Sequence, residues 1–341
     1  MSLLGVAVLL LALAFSWWGT GRVRRFALAR TVLDVPNERS SHSTPTPRGG
    51  GLAIAAVVLA GMTVAALAGL ARWQLAVALV PSGGAMALLG WLDDRRSLPA
   101  WTRLVVHVIA ASWVIHWLGP VRALSIGAGS LPLGWLAIPL SILGIVWLVN
   151  LFNFMDGIDG IASVEAITVS LGGTLLYGLV VSGTTHWLAP LVVVSATLGF
   201  LVWNWPPAKI FMGDAGSGFL GLMLGALSLH AAWVAPRLFW SWVILLGAFV
   251  VDATVTLIRR VVRGERFYEA HRSHAYQHAA QRWGAHLPVT VAVGAINLCW
   301  LLPIALLVAL GSLDGLLGVF VAYTPIVAAA LWLRAGKPAA A

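Results

Sequence analysis

The sequence predicts an all-α integral membrane protein that crosses the bilayer ten or eleven times, and three observations support this. Of 341 residues, 60% are hydrophobic and only 10% are charged, against about 25% charged in soluble globular chains. With mean hydropathy at +0.91, too few charges remain to cover a water-facing surface. Apolar stretches long enough to cross about 30 Å of hydrocarbon recur along the chain. The basic residues gather between alternate stretches, as the orientation rule for membrane proteins requires. The 18 tryptophans suit a protein with two long water–lipid boundaries. A net charge of +9 does not imply a nucleic-acid partner, because in such a chain the position of the basic residues matters more than their sum.

In order, the predicted spans are Ser2–Trp18, Gly50–Ala71, Leu75–Leu92, Leu104–Leu118, Leu133–Val149, Ile161–Val181, Leu188–Val202, Gly218–His230, Phe239–Ile258, Val289–Leu310 and Leu316–Leu333. Eleven is the working count, and ten follows if one short segment is re-entrant. The first segment lacks a basic start and is followed by Arg22, Arg24 and Arg25, so it reads as a retained span rather than a cleaved signal. The odd-numbered loops and the C-terminal tail hold 18 of the 21 Lys+Arg, and the even loops hold only Arg72, Arg122 and Arg237. This split predicts cytoplasmic odd loops and an N-terminus outside.

The acidic residues follow the same division. Only Glu165 and Asp252 fall inside spans and only Asp314 outside, while the others lie in odd loops or at their membrane edges. A scarce residue type collected on one face points to a cytoplasmic-side site. Cys299 is the single cysteine, which excludes an internal disulfide and a cysteine-built zinc site. No repeat or linker divides residues 1–341, so a single transmembrane domain is expected, with 259–286 as a long loop within it.

Four motifs could carry chemistry. Asp93-Asp94-Arg95-Arg96 ends the third span, either as a charged helix end or as a carboxylate pair able to bind a divalent cation. In Asn153-Phe-Met-Asp156-Gly-Ile-Asp159-Gly160, three polar residues recur at a spacing that a helical turn would align along one side, in a loop without a basic residue. Unpaired carboxylates at a bilayer edge are costly, which favours a functional role over a polar glycine turn. Gly213-Asp214-Ala-Gly-Ser217-Gly precedes a span, where glycines allow close backbone approach and a helix N-terminus offers amides to an anion. It reads equally as a tight turn with Asp214 as N-cap, and it lacks the lysine of a Walker loop.

The fourth motif is the ninth loop, Arg259 to His286, with six arginines and four histidines. His271, Arg272, His274 and His278 sit in a stretch expected to form a short amphipathic helix ending near Gly284, with the three histidines on one face. Such a helix could lie on anionic headgroups or recognise a phosphorylated substrate. Three histidines on one helix rarely converge on a zinc ion. In the first loop, Arg39, His42 and Arg48 could bind phosphate or simply enforce topology.

In this order and on one side, these motifs resemble the polyprenyl-phosphate N-acetylhexosamine-1-phosphate transferase family, with the match running from about Asp34 to His278. His271-Arg-Ser-His274 departs from the family's usual His-x-His-His pattern. It looks more like the subgroup that starts O-antigen units with 6-deoxy sugars such as N-acetylfucosamine or N-acetylquinovosamine, and this argues against the MurNAc-pentapeptide enzyme.

The resemblance implies transfer from a UDP-N-acetylhexosamine to undecaprenyl phosphate, with release of UMP, in a bacterial cytoplasmic membrane. It assigns magnesium (or manganese) to Asp214 with Asn153, and the acceptor phosphate to Asp93. Asp94, Asp156 and Asp159 would orient metal and nucleotide. Arg103 would hold the lipid phosphate, and His271, Arg272, His274, Ser217, Arg39 and His42 would contact the substrates. A homodimer is compatible with the family. A covalent aspartyl-phosphate route stays open beside direct attack. The rival from another class is an ion-coupled transporter, whose carboxylates would lie near the midplane, where only Asp252 and Glu165 qualify. Asp252 could equally pair with Arg259 or Arg260. A membrane anchor would leave the carboxylate cluster unexplained.

Overall fold

Backbone amides in hydrocarbon must be satisfied within their own segment, so each apolar stretch closes into a helix. The computed structural model describes residues 2–34, 36, 44–127, 129–181, 185–265 and 271–338. The helices are α1 (Leu3–Ala29), α2 (Gly51–Leu67), α3 (Trp73–Arg96), α4 (Ala100–Leu118), α5 (Ala137–Met155), α6 (Ile161–Val180) and α7 (Leu188–Asn204). They continue as α8 (Asp214–Val234), α9 (Pro236–Leu245), α10 (Gly247–Val262), α11 (Ala275–Trp283), α12 (His286–Ile296), α13 (Leu302–Ala309) and α14 (Gly315–Trp332).

Among the described residues, eight helical segments are long and apolar enough to cross a membrane. The α9–α10 pair, bent by 69°, makes one more. The apolar helices α2 and α7 have 17 residues each, about 25 Å at the α-helical rise, which still fits the lower end of a span. These segments coincide with the eleven predicted stretches, and the chain is a polytopic all-α membrane protein. α1 differs from the sequence expectation, running past Trp18 through Arg22, Arg24 and Arg25 to Ala29. Arginine is a good helix former, so the helix continues beyond its apolar part.

α8 is the central helix, buried from Ala215 to Ala231, whereas the peripheral α14 is mostly exposed. It packs on α2, α3, α5 and α9 and carries Asp214 at its first position. Two small ribbons flank the bundle. β1 (Leu33–Asp34) pairs antiparallel with β2 (Thr46–Pro47) at the carboxylate end. At the opposite end, β3 (Ala123–Ile126) pairs with β4 (Gly129–Pro132), a hairpin too short to show in the hydrophobic pattern. Trp240 donates its indole N–H to Ser125 O at 2.7 Å, fixing this hairpin on α9.

The two carboxylates inside spans are both engaged. Asn297 Nδ2, in the π-helical turn Asn297–Leu301 between α12 and α13, donates to Glu165 Oε2 at 2.6 Å and to Thr168 Oγ1 at 2.7 Å. Asp252 pairs with His274 rather than with Arg259 or Arg260: Arg260 turns to Glu265 at 2.8 Å, and Arg259 donates to Ala335 O.

Candidate active site

Consecutive residues on a helix point about 100° apart, so Asp93 and Asp94 leave α3 on different sides, although both reach Asp214. Asp93 accepts from Leu98 N at 2.6 Å and from Arg103 Nη1 at 3.0 Å. Asp94 faces α8, where its Oδ1 accepts from Asp214 N at 3.0 Å. An anion at a helix N-terminus is stabilised by the free amides and the helix dipole. The residue before that helix is Gly213, at φ +74, so Gly213 rather than Asp214 is the N-cap. A Cβ there would lie 2.6 Å from Asp94 Oδ2. Gly90 makes the same junction close, since a Cβ would meet the Asp214 carbonyl oxygen at 2.4 Å.

Arg48 joins these groups. Its Nε lies 2.8 Å from Asp94 Oδ1 and its Nη2 2.9 Å from Asp214 Oδ1. The backbone sets it there: Phe211 N donates to Pro47 O at 2.8 Å, and Gly50 N donates to Phe211 O at 2.9 Å, stitching the first loop to the Asp214 loop. Although burial opposes its charge, the Asp214 and Asp94 carboxylates raise the Arg48 pKa above the ordinary guanidinium value. The sequence left Arg48 undecided, because a partner so distant along the chain leaves no local signal.

α5 ends at Met155, and Asp156 follows at φ −86, ψ 44, so the expected helical alignment of Asn153, Asp156 and Asp159 fails. Asn153 faces α8, with Nδ2 3.5 Å from Ser217 Oγ, and also reaches Asp214. Burial, reinforced by the Asp214 carboxylate, pushes Asp156 well above the usual carboxylate range, against the pull of Arg48. Asp159 turns away from the cluster. Its Oδ1 lies 3.2 Å from His286 Nδ1, and its Oδ2 accepts from Ala208 N at 3.0 Å.

The helix of the ninth loop starts at Ala275, later than expected, with His274 as its N-cap and Gly284 closing it. Asp252 holds this start: it accepts from Ala275 N and Tyr276 N, both at 2.9 Å, and lies 3.3 Å from His274 Nδ1. Tyr276 donates its hydroxyl to Phe154 O at 2.9 Å, docking the loop on the end of α5. The rings of His271 and His274 stack at 4.8 Å, each 6.3 Å from Phe154. Arg272 is adjacent, with its Nε buried and no hydrogen-bond partner among the described residues. His278 points elsewhere, to Lys337 O at 3.1 Å, so the three histidines do not share a face. Arg39 and His42 lie outside the described residues.

Two cavities border the carboxylates. One, of about 530 Å³, runs between α4 and α5 and is lined by Asp93, Arg103, Asn153 and Asp214 together with Trp101, Leu104 and Trp147. The other, of about 590 Å³, is basic, with Arg22, Arg25, Arg48 and Arg95 around Asp94. Trp147 also lines a third, apolar cavity of about 400 Å³ between α5 and the bent α9–α10 pair. Among the described residues, no three histidine, cysteine or acidic side chains converge as a ready metal site. Magnesium, however, is usually held by one or two carboxylates together with substrate phosphates. The side-chain oxygens of Asp214 and Asn153 fit that requirement.

A family model for glycosyl transferase family 4 matches residues 75–232. The chain is 31% identical over 282 residues to a probable undecaprenyl-phosphate N-acetylglucosaminyl 1-phosphate transferase of Bacillus subtilis, covering 80% of this chain and 75% of that protein. It is 30% identical to a decaprenyl-phosphate N-acetylglucosaminephosphotransferase of Mycobacterium tuberculosis, covering 83% of this chain and 78% of that one. It is also 30% identical to a phospho-N-acetylmuramoyl-pentapeptide-transferase of a Synechococcus strain, over 73% of this chain and 70% of that one. With the carboxylate motifs in place at one end of a polytopic bundle, the chain belongs to glycosyl transferase family 4, the polyprenyl-phosphate sugar-1-phosphate transferases.

Proposed function

We propose that the protein transfers an N-acetylhexosamine 1-phosphate from a UDP-sugar to undecaprenyl phosphate, releasing UMP, at the cytoplasmic face of a bacterial inner membrane. The supporting observation is a cavity that combines the charged groups Asp93, Arg103 and Asp214 with an apolar lining of leucines and tryptophans. The two kinds of lining suit a phosphate and its prenyl chain. Trp147 also lines the apolar cavity along the bent α9–α10 pair, a second apolar surface for the prenyl chain. The distribution of 18 of 21 Lys+Arg supports the cytoplasmic placement.

In this reading an oxygen of the lipid phosphate attacks the sugar-bearing phosphorus of the donor, and the bond to UMP breaks. Arg103 holds the acceptor phosphate and Asp93 orients Arg103. Little base catalysis is needed, since a phosphate monoester with a second pKa of about 6 is mostly dianionic at neutral pH. Asp214 and Asn153 would hold magnesium or manganese, which when bound supplies positive charge against the developing phosphate charge. Arg48 keeps Asp94 and Asp214 paired, and Asp156 lies near enough to interact electrostatically with all three. His271 and His274 pack on Phe154, which lines the same cavity, and with Arg272 would contact the donor. The sugar is an N-acetylhexosamine, either N-acetylglucosamine or a 6-deoxy relative, and the product starts an O-antigen or another surface polysaccharide.

The transporter reading loses support because Glu165 and Asp252 are tied to Asn297 and to the start of α11. The test is UMP release by purified protein given undecaprenyl phosphate and a panel of UDP-sugars, with and without magnesium. No UMP from any donor would overturn this reading.

A further inference from the structure

His107 stands one helical turn beyond Arg103 on α4, on the wall of the 530 Å³ cavity that also holds Asp93 and Asp214. No sequence motif marked it. Its side chain is only 7% exposed, and Nδ1 is buried without a hydrogen-bond partner among the described residues. With Nδ1 sealed off, the ring meets the cavity through its Nε2 edge.

The burial also favours one tautomer. A proton on Nδ1 would bury a donor with nothing to accept it, and a doubly protonated ring would add a second cation beside Arg103. The neutral form with its proton on Nε2 leaves Nδ1 as a buried bare acceptor instead, and orphaned acceptors are better tolerated than orphaned N–H groups. It turns an N–H donor into the cavity.

We infer that His107 Nε2–H donates a hydrogen bond to the phosphate of the polyprenyl acceptor, making it, with Arg103, a two-point reader of the lipid head. The assignment rests on the cavity being the acceptor site of the proposed transfer. Arg103 supplies charge and His107, one turn further into α4, supplies direction. Nothing in this role requires the histidine to titrate or to move a proton.

The test compares wild type with His107→Leu and His107→Gln. Leucine keeps the apolar volume and removes the donor. A glutamine amide nitrogen reaches about as far as Nε2 and restores the donor. In steady-state UMP release, His107→Leu should raise KM for undecaprenyl phosphate about tenfold, the effect of one hydrogen bond to a charged group. KM for the UDP-sugar should stay within about twofold, and His107→Gln should recover most of the acceptor affinity. Unchanged acceptor KM in His107→Leu, or equal losses in both variants, would overturn the assignment. A binding measurement separates this outcome from failure of the proposed reaction. By native mass spectrometry, wild type should retain undecaprenyl phosphate over undecaprenol, and His107→Leu should lose about tenfold of that preference. Loss of the preference without any turnover would uphold the His107 role while removing the reaction. An unaltered preference would remove the His107 role.

Discussion

Arg48 Nη2 lies 2.9 Å from Asp214 Oδ1, although 166 residues separate the two in sequence. The same guanidinium reaches Asp94 at 2.8 Å, so one planar fork spans two carboxylates from different helices. Lysine presents a single compact charge and cannot reproduce that geometry. Arg48→Lys should therefore reduce the rate of UMP release by about tenfold or more, given about 1.5–3 kcal/mol for a hydrogen bond to a charged group. A variant with wild-type initial rates would remove Arg48 from the machinery.

Neutralising Asp214 should be more severe. Asp214→Asn should insert normally yet lose about 10²–10³-fold in transfer, the usual effect of deleting one preorganised electrostatic contact. Asp93→Ala, Asp94→Ala and Asp156→Ala should fall in the same range. Double variants among the four should lose less than the product of the single losses, because the groups act as a unit. Near-normal rates in three of them would disprove a single site.

Asp159 belongs to a different class of effect. Its contacts with His286 and Ala208 join the loop after α5 to α12 and to the loop after α7. Asp159→Asn is expected to lower the thermal midpoint more clearly than it lowers the rate per folded molecule. Differential scanning fluorimetry beside initial rates distinguishes these outcomes.

Asp252 is a positioning residue for the ninth loop. It caps α11 through two amides and faces His274. Asp252→Asn should misplace His274 and reduce turnover by about tenfold, while leaving the secondary structure measured by circular dichroism intact. Turnover equal to wild type would show that His274 does not depend on this cap.

Asp314, at the opposite end, caps α14 through Leu317 N at 3.1 Å and accepts from Gly127 N in the hairpin turn at 2.6 Å. These bonds hold its carboxyl below the usual range. A depressed folded pKa gives stability that is present above the unfolded aspartate value of about 4 and is lost as pH falls through the folded value. Asp314→Ala should leave transfer unchanged and lower the melting temperature at neutral pH, and the difference from wild type should shrink in acid.

The span pattern was readable because the bilayer imposes a length on each apolar stretch, a local property that eleven segments satisfy independently. The carboxylate motifs were readable for a related reason: ionised groups at a membrane edge are rare enough to stand out. Basic residues likewise sort by loop without reference to any fold. Partner choice was not readable in this way. Helical spacing suggested that Asn153, Asp156 and Asp159 face together, but α5 stops at Met155 and the chain reverses, sending Asp159 to His286. Spacing also suggested an arginine for Asp252, yet the amides at the start of α11, which have no partner within their helix, bind its two oxygens instead. The sequence by itself determined the spans and which loops hold the acidic residues, since hydropathy and charge act residue by residue. Only the tertiary structure decided that Arg48 bridges Asp94 and Asp214 and that His107 lines the cavity beside Arg103. Those pairings depend on where helices end and how closely α3, α4 and α8 approach, which no single segment encodes.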